Sequence, residues 1–200
     1  MKLKELFEST GKSVADLNID YSSGDFTCGG RRLTSLDGCP EHIFGDFDCG
    51  HNKLETLAGG PSIVQASYYC NDNRLETLKG APRETNGDFV CSFNALTSLD
   101  GCPEKVKGDF VCSFNGGIKS LKNIHRNITQ ITGHFYCVGC SVESNVLGLT
   151  LITDLKFVGL SLHDKTVENI LNKHLGKGRA GMLQAQEELI EAGLEEFAQL

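Results

Sequence analysis

Long apolar runs are missing from this chain: no stretch approaches the roughly 20 consecutive apolar residues that a membrane-spanning helix needs. The opening Met1-Lys2-Leu3-Lys4-Glu5-Leu6-Phe7 carries acidic charge and no sustained apolar core, so no secretory signal is read there and a soluble, intracellular protein is expected. Positive charge is also scarce. Nineteen Lys and Arg stand against 26 Asp and Glu, a net charge of -7, which argues against a protein built to coat phosphate backbones. Neither nucleic acid nor a membrane is expected as partner. The signatures of chemistry are absent too: no Ser-His-Asp order, no phosphate loop, no H-E-x-x-H and no paired-carboxylate motif in a supporting context. Gly11-Lys12-Ser13 echoes the end of a phosphate loop, but Leu6 stands where its first glycine is required. No catalytic residue, metal or cofactor is expected. The nine cysteines are odd in number and most fall at one repeated position, which fits reduced thiols in a core better than a disulfide framework.

What the chain has in abundance is one phrase. Gly24-Asp25-Phe26-Thr27-Cys28 restarts at Gly45, Ala66, Gly87 and Gly108 with a spacing of 21 residues, and again at Gly133. A period of this length marks a solenoid. Phe26 and Cys28, Phe47 and Cys49, Tyr68 and Cys70, Phe89 and Cys91, Phe110 and Cys112, and Phe135 and Cys137 alternate, which places each pair on one face of a short strand. Asn52, Asn73, Asn94 or Asn115 follows three residues after a cysteine, and pairs such as Leu54 and Leu57 or Leu96 and Leu99 come next. This phrase resembles the leucine-rich repeat, in which an inward Asn or Cys turns the chain after the strand. Stacked cysteines and asparagines would form ladders from coil to coil, the asparagines satisfying turn backbone groups. Each proline follows a Gly-x pair, as in Gly38-Cys39-Pro40 and Gly101-Cys102-Pro103, supplying first freedom and then a fixed φ for the return turn. At 21 residues the return has no room for a long helix, so a turn-rich convex side is expected. About four extra residues between Asn115 and Gly133 predict a bulge there, and Cys140 takes the next Asn slot. Leu155-x-Phe157-x-x-Leu160-x-Leu162 reads as a last, nonpolar version of the phrase.

The expected fold class is therefore a leucine-rich-repeat-like solenoid with short parallel strands on one face and helical caps. Residues 1–23 are read as an N-terminal cap, from the helix-like spacing of Leu3, Leu6, Phe7 and Val14 and the strand-like Leu17-x-Ile19-x-Tyr21. Residues 24–162 make about seven coils. Residues 163–200 are a C-terminal helical cap: Ser161-Leu162-His163-Asp164 opens a helix that stops at Gly176, and Met182, Leu183, Gln186, Leu189, Ile190, Leu194, Phe197 and Ala198 fall near helical spacing in a second.

A solenoid of this kind offers an extended surface, so binding is expected rather than conversion of a substrate. Alternation turns Thr27, Asp48, Tyr69, Val90, Val111 and Tyr136 outward, and His51, Asp72, Phe93 and Phe114 project just beyond the strands. Tyr69, Val90, Phe93, Val111, Phe114 and Tyr136 form a candidate apolar docking strip, unless the C-terminal helices fold over it. Asp25, Asp46, Asp88 and Asp109 recur at one position, where adjacent charges would repel by roughly 1 to 3 kcal/mol. They either cap the glycine turns or meet a basic partner or cation. Asp46, Asp48, Asp88 and Asp109 therefore join the partner-binding set. Cys137-Val138-Gly139-Cys140 is the one C-x-x-C, with no second pair to complete a metal site, and Cys39 and Cys102 sit beside turn prolines. Lys173, His174, Lys177 and Arg179 make a basic corner near the acidic last helix.

The full unit G-D-F-x-C-x-x-N-x-L-x-S-L-x-G-x-P, seen from Gly87 to Pro103, resembles the leucine-rich-repeat-like proteins of tailed bacteriophages. The closing run from Lys177-Gly178-Arg179-Ala180-Gly181-Met182-Leu183 to Phe197-Ala198 is similar to the tail of the phage versions. That resemblance covers residues 24–200 and carries no catalytic residues with it. It implies a phage-encoded protein in the reducing host cytoplasm that binds a host protein such as a defence factor, with inhibition as one outcome, or binds another phage protein. A virion or assembly component is the alternative. A cysteine-dependent enzyme is the weaker reading, since the 38 residues after Leu162 contain no cysteine.

Overall fold

A computed structural model describes residues 24–160 and 165–200, so the expected N-terminal cap and the Ser161–Asp164 helix start lie outside the described residues. The repeat folds as a parallel-strand β-solenoid of about six turns. Each of the first five coils contributes two short strands. One set, β1 (Phe26–Thr27), β3 (Phe47–Asp48), β5 (Tyr68–Tyr69), β7 (Phe89–Val90), β9 (Phe110–Val111), β11 (His134–Cys137) and β12 (Phe157–Leu160), forms a seven-stranded sheet in that order. The other, β2 (His42–Ile43), β4 (Ile63–Val64), β6 (Glu84–Thr85), β8 (Lys105–Val106) and β10 (Gln130–Ile131), forms a five-stranded sheet, extended by a bridge from Gln130 to Thr153. Register is strict: Phe26 pairs Phe47, Phe47 pairs Tyr68, and the same position pairs onward to Phe135.

Two findings in the sheets differ from the sequence expectation. The return side is more than turns, because it carries the second sheet. Its inward residues, Ile43, Val64, Thr85, Val106 and Ile131, are buried, and each has the branched Cβ that suits a short strand. The last coil also aligns differently. Val158 and Leu160 pair with Phe135 and Cys137, while Phe157 pairs His134 and points outward, 37% exposed. Gly159 explains this alignment. A side chain there would meet the ring of Tyr136 at 2.9 Å, so only glycine lets Tyr136 lie over the final strand.

Inside, the rings of Phe26, Phe47, Tyr68, Phe89, Phe110 and Phe135 are fully buried and stack with centroids 4.9 to 5.9 Å apart. Each such neighbour adds about 0.5 to 1.5 kcal/mol to what burial of the ring contributes. Cys28, Cys49, Cys70, Cys91, Cys112 and Cys137 lie beside them, also fully buried.

The asparagines hold the turns after the strands. Asn115 donates from Nδ2 to the carbonyls of Cys91, Cys112 and Ser113, and its Oδ1 accepts the N–H of Leu96 at 3.1 Å. Asn52, Asn73 and Asn94 do the same one coil earlier each time. A single side chain thus bonds backbone groups of two coils, and gives the buried leucine N–H of the preceding coil its acceptor. At the next coil Cys140 stands in this slot, its Sγ 3.3 Å from the carbonyl of Cys112.

The four-residue insertion forms a single helical turn, α1 (Ile124–Asn127), entered through Asn123 at φ 60°. A 3-10 turn follows at Leu147–Leu151. Helices α2 (Thr166–His174) and α3 (Gly178–Glu191) come after β12. Helix α2 sits at the free edge of β12: Asn172 donates to the Val158 carbonyl and accepts its N–H, and Glu168 accepts the N–H of Leu160 at 2.8 Å. The second helix is shorter than its spacing predicts. Gly193 at φ 73° lets Leu194 N–H reach back to the Leu189 carbonyl, a Schellman ending, and Phe197 and Ala198 are buried after the reversal rather than on the helix. Among the described residues no helix is long and apolar enough to cross a membrane.

Asn115 is fully buried, so Asn115→Ala removes four hydrogen bonds and strands the buried Leu96 amide, and should lower unfolding free energy by about 2 to 3 kcal/mol. Urea denaturation followed by circular dichroism measures it. A loss below about 1 kcal/mol would mean these bonds do not hold the turn.

Candidate functional interface

The outward side of the seven-stranded sheet displays three parallel rows, because every coil repeats the same alternation in register. The first row is Asp25, Asp46, Ser67, Asp88, Asp109, His134 and Phe157, each one residue before an inward ring or its equivalent. The second is Thr27, Asp48, Tyr69, Val90, Val111, Tyr136 and Gly159. In this row Tyr69, Val90, Val111 and Tyr136 are half-buried, Thr27 is exposed and Gly159 is buried. Successive rows stand ~7 Å apart along a strand and successive coils ~4.8 Å apart across it. This second row is thus polar at the N-terminal end and apolar towards the later coils, while the first row stays acidic as far as Asp109.

The third row lies on the turn after the strands, and its backbone is unusual. His51, Asp72, Phe93 and Phe114 have φ of 54° to 57°, in the left-handed region. Gly30 and Gly139 hold the same place at φ 68° and 72°. The turn itself therefore asks for glycine, asparagine or aspartate, and a bulky aromatic there costs about 1 kcal/mol or more. Phe93 and Phe114 stack face to face, centroids 4.4 Å apart and planes 11° apart, yet each is 49% exposed. Beyond them a side chain at position 139 would meet the Phe114 ring at 2.6 Å. Gly139 is the floor on which that ring rests.

Tyr136 belongs to a second aromatic group that sequence reasoning did not assemble. His134, Tyr136 and Phe157 have ring centroids 5.7 to 6.2 Å apart. The signal was present, since His134 stands in the aspartate position of its coil, but the misaligned last phrase hid Phe157.

The aspartates have a structural task different from capping their own turns. Oδ1 of Asp25 accepts the N–H of Asp46 at 2.7 Å, Oδ1 of Asp46 that of Ser67, Oδ1 of Asp88 that of Asp109, and Oδ1 of Asp109 that of His134, the last three at 2.8 Å. The chain passes through Ser67, whose Oγ accepts the N–H of Asp88 at 3.1 Å. Asp48 Oδ1 accepts the N–H of Gly50 at 2.8 Å. Each side chain thereby carries its charge to a fixed place on the face.

Helix α2 packs on β12 and on the 3-10 turn, and α3 on that turn and on α2, at the end of the stack rather than over the later coils. The basic corner divides between uses. Lys173 and His174 both meet Glu188 Oε1, at 2.7 and 2.9 Å, and these contacts, Lys173 first, hold the Glu188 carboxyl below its usual range. Lys177 and Arg179 are exposed.

The cysteines are all free thiols. Burial raises most of them, Cys102 to about 12 and Cys28 also to about 12, there with help from the Asp48 charge. Cys140 is different. Hydrogen bonds from the Cys112 thiol and then from Cys137 draw it well below the ordinary thiol range, although Cys140 is only 8% exposed. Cys137 and Cys140 therefore sit together with Cys112. Among the described residues no group of three or more His, Cys, Asp or Glu is placed to hold a metal ion.

No protein-family model, curated protein or solved structure matches the chain.

Two outcomes follow from this geometry. Phe93→Asn, which suits a left-handed turn, should leave the thermal midpoint unchanged or raise it, whereas Phe89→Ala in the buried stack should cost about 3 to 5 kcal/mol. A large loss at Phe93 would make it a packing residue. Under a thiol reagent with mass-spectrometric mapping, the half-buried Cys39 and Cys102 should react before the buried ladder thiols. Earlier reaction of Cys49, Cys70 or Cys91 would show that the coils open.

Proposed function

We propose that this chain is a non-enzymatic protein–protein interaction module that docks a partner on the outward face of its seven-stranded sheet. The observation that carries this reading is the pair Phe93 and Phe114, stacked and half exposed at turn positions where glycine stands in two other coils. Aromatics kept at a backbone position that disfavours them, on the outside of the protein, contribute more to a partner than to the fold. Tyr69, Val90, Val111 and Tyr136 extend the surface on one side of them, and Asp46, Asp48, Asp88 and Asp109 frame it.

The mechanism is occlusion by a rigid surface. Rows fixed by inter-coil hydrogen bonds need little ordering on docking, so less of the interaction energy is lost to entropy. In this reading the asparagine and cysteine ladders are the means of rigidity, and α2 and α3 act as a cap that closes the last coil, with Asn172 and Glu168 bonding the β12 edge. The likeness of the repeat and tail to leucine-rich-repeat-like proteins of tailed bacteriophages extends the proposal to its setting: a phage-encoded protein in the host cytoplasm that binds, and by binding inhibits, a host protein such as a defence factor.

The test is affinity capture from host extract with the wild-type protein and with Phe93→Ala plus Phe114→Ala. Loss of the two rings should weaken the specific partner by at least about tenfold, with circular dichroism unchanged. A partner retained equally by both proteins would place docking elsewhere.

A further inference from the structure

Charge is not needed for the backbone role of the aspartate row. Ser67 fills that role with a neutral hydroxyl, accepting the N–H of Asp88 at 3.1 Å. Asp25 with Asp46, and Asp88 with Asp109, nonetheless bring carboxylates onto adjacent strands of one sheet, where like charges repel. The structural task explains an oxygen acceptor at each position and leaves the charge unexplained.

The two faces of the solenoid also treat charge differently. On the five-stranded side, two ion pairs form: Arg83 meets Glu104 at 2.9 Å and Lys107 meets Glu84 at 2.7 Å. On the seven-stranded side, Asp46, Asp48 and Asp88 have no Lys or Arg within 4.0 Å among the described residues. Asp109 is met by the His134 ring at 3.0 Å and Asp72 by His51 at 3.7 Å. Between these carboxylates run Val90 and Val111, with the half-exposed, mutually stacked Phe93 and Phe114 beside them.

Building on the docking face proposed above, we infer that its occupant is a cationic protein segment, rich in arginine or lysine around an apolar centre. Its cations lie against the aspartate row and beside Phe93, the outer ring of the stacked pair, since Phe114 is covered by Phe93 on one face and Gly139 on the other. Its apolar side chains cover Val90 and Val111. A nucleic acid is repelled by the same row.

The inference is tested by fluorescence polarisation with two labelled peptides of equal length, one alternating Arg and Leu, the other with Gln for every Arg. Asp46→Asn plus Asp88→Asn keeps the Oδ1 acceptors and removes two charges, and Glu84→Gln plus Glu104→Gln is the control on the opposite sheet. Circular dichroism checks that all remain folded. The Arg peptide should bind at least about tenfold more tightly than the Gln peptide, lose about fivefold or more with either the aspartate pair or Phe93→Ala plus Phe114→Ala, and ignore the control. Equal binding of both peptides, unaffected by the aspartate pair, overturns the cationic occupant while leaving the face a docking surface. Loss of equal size in the control variant overturns it as well, by showing diffuse attraction to an acidic protein. Binding of neither peptide overturns the cationic occupant and removes support from the docking face.

Discussion

Hydrogen bonds between corresponding positions of neighbouring coils are the constraint on which the rest of this structure depends. Strand amides reach the carbonyls of the next coil, as Cys70 N–H does to Val90 and Cys91 N–H to Val111. Asn side chains then join the turns, and Asp and Ser side chains join the strand entries. Such a network tolerates little slippage. A one-residue shift in any coil would turn its ring and thiol outward and leave buried backbone groups without partners. That is why the spacing holds at 21 residues for four restarts and why the one insertion is absorbed in α1, away from the seven-stranded sheet.

The same constraint creates the outward rows. Register that aligns inward rings must also align whatever alternates with them, so a choice at one coil becomes a place in a surface. Near the N-terminal end the choices are Thr27 and Asp48; later they are Val90 and Val111, with Phe93 and Phe114 on the turn. The left-handed turn is the informative place. Gly30 and Gly139 show what the backbone prefers, and two phenylalanines depart from it where their rings face solvent. The tail leaves this surface in place by packing at the end of the stack, where Asn172 and Glu168 bond the last strand.

Much of this was legible in the residues. Phe-x-Cys alternation located the first sheet and its inward face, the Asn position located the inter-coil bonds, and the outward residues followed by parity. The second sheet was missed because each of its strands is two residues long and buries one of them. Its signal was a single β-branched residue three positions after each proline, in Ile43, Val64, Thr85 and Val106, too thin to outweigh the Gly-x-Pro turn beside it. Phe157 was misplaced because the last phrase keeps its spacing in Leu155, Phe157, Leu160 and Leu162 but not its register. Only the approach of Tyr136 over Gly159 fixes that register. The left-handed turn, and the bond from each Asp to the following coil, depend on backbone directions that residue types alone do not specify.

Amide hydrogen exchange is the most direct measurement of the central claim. The N–H groups of Leu54, Leu75 and Leu96 lie in turns, where exchange is ordinarily fast, but each donates to an Asn Oδ1 of the next coil at 2.9 to 3.1 Å. If bonds between corresponding positions hold the coils, these amides exchange only through global unfolding, as slowly as the strand amides of Cys70 and Cys91. Exchange at the rate of open turns, with the strand amides still protected, would contradict the account.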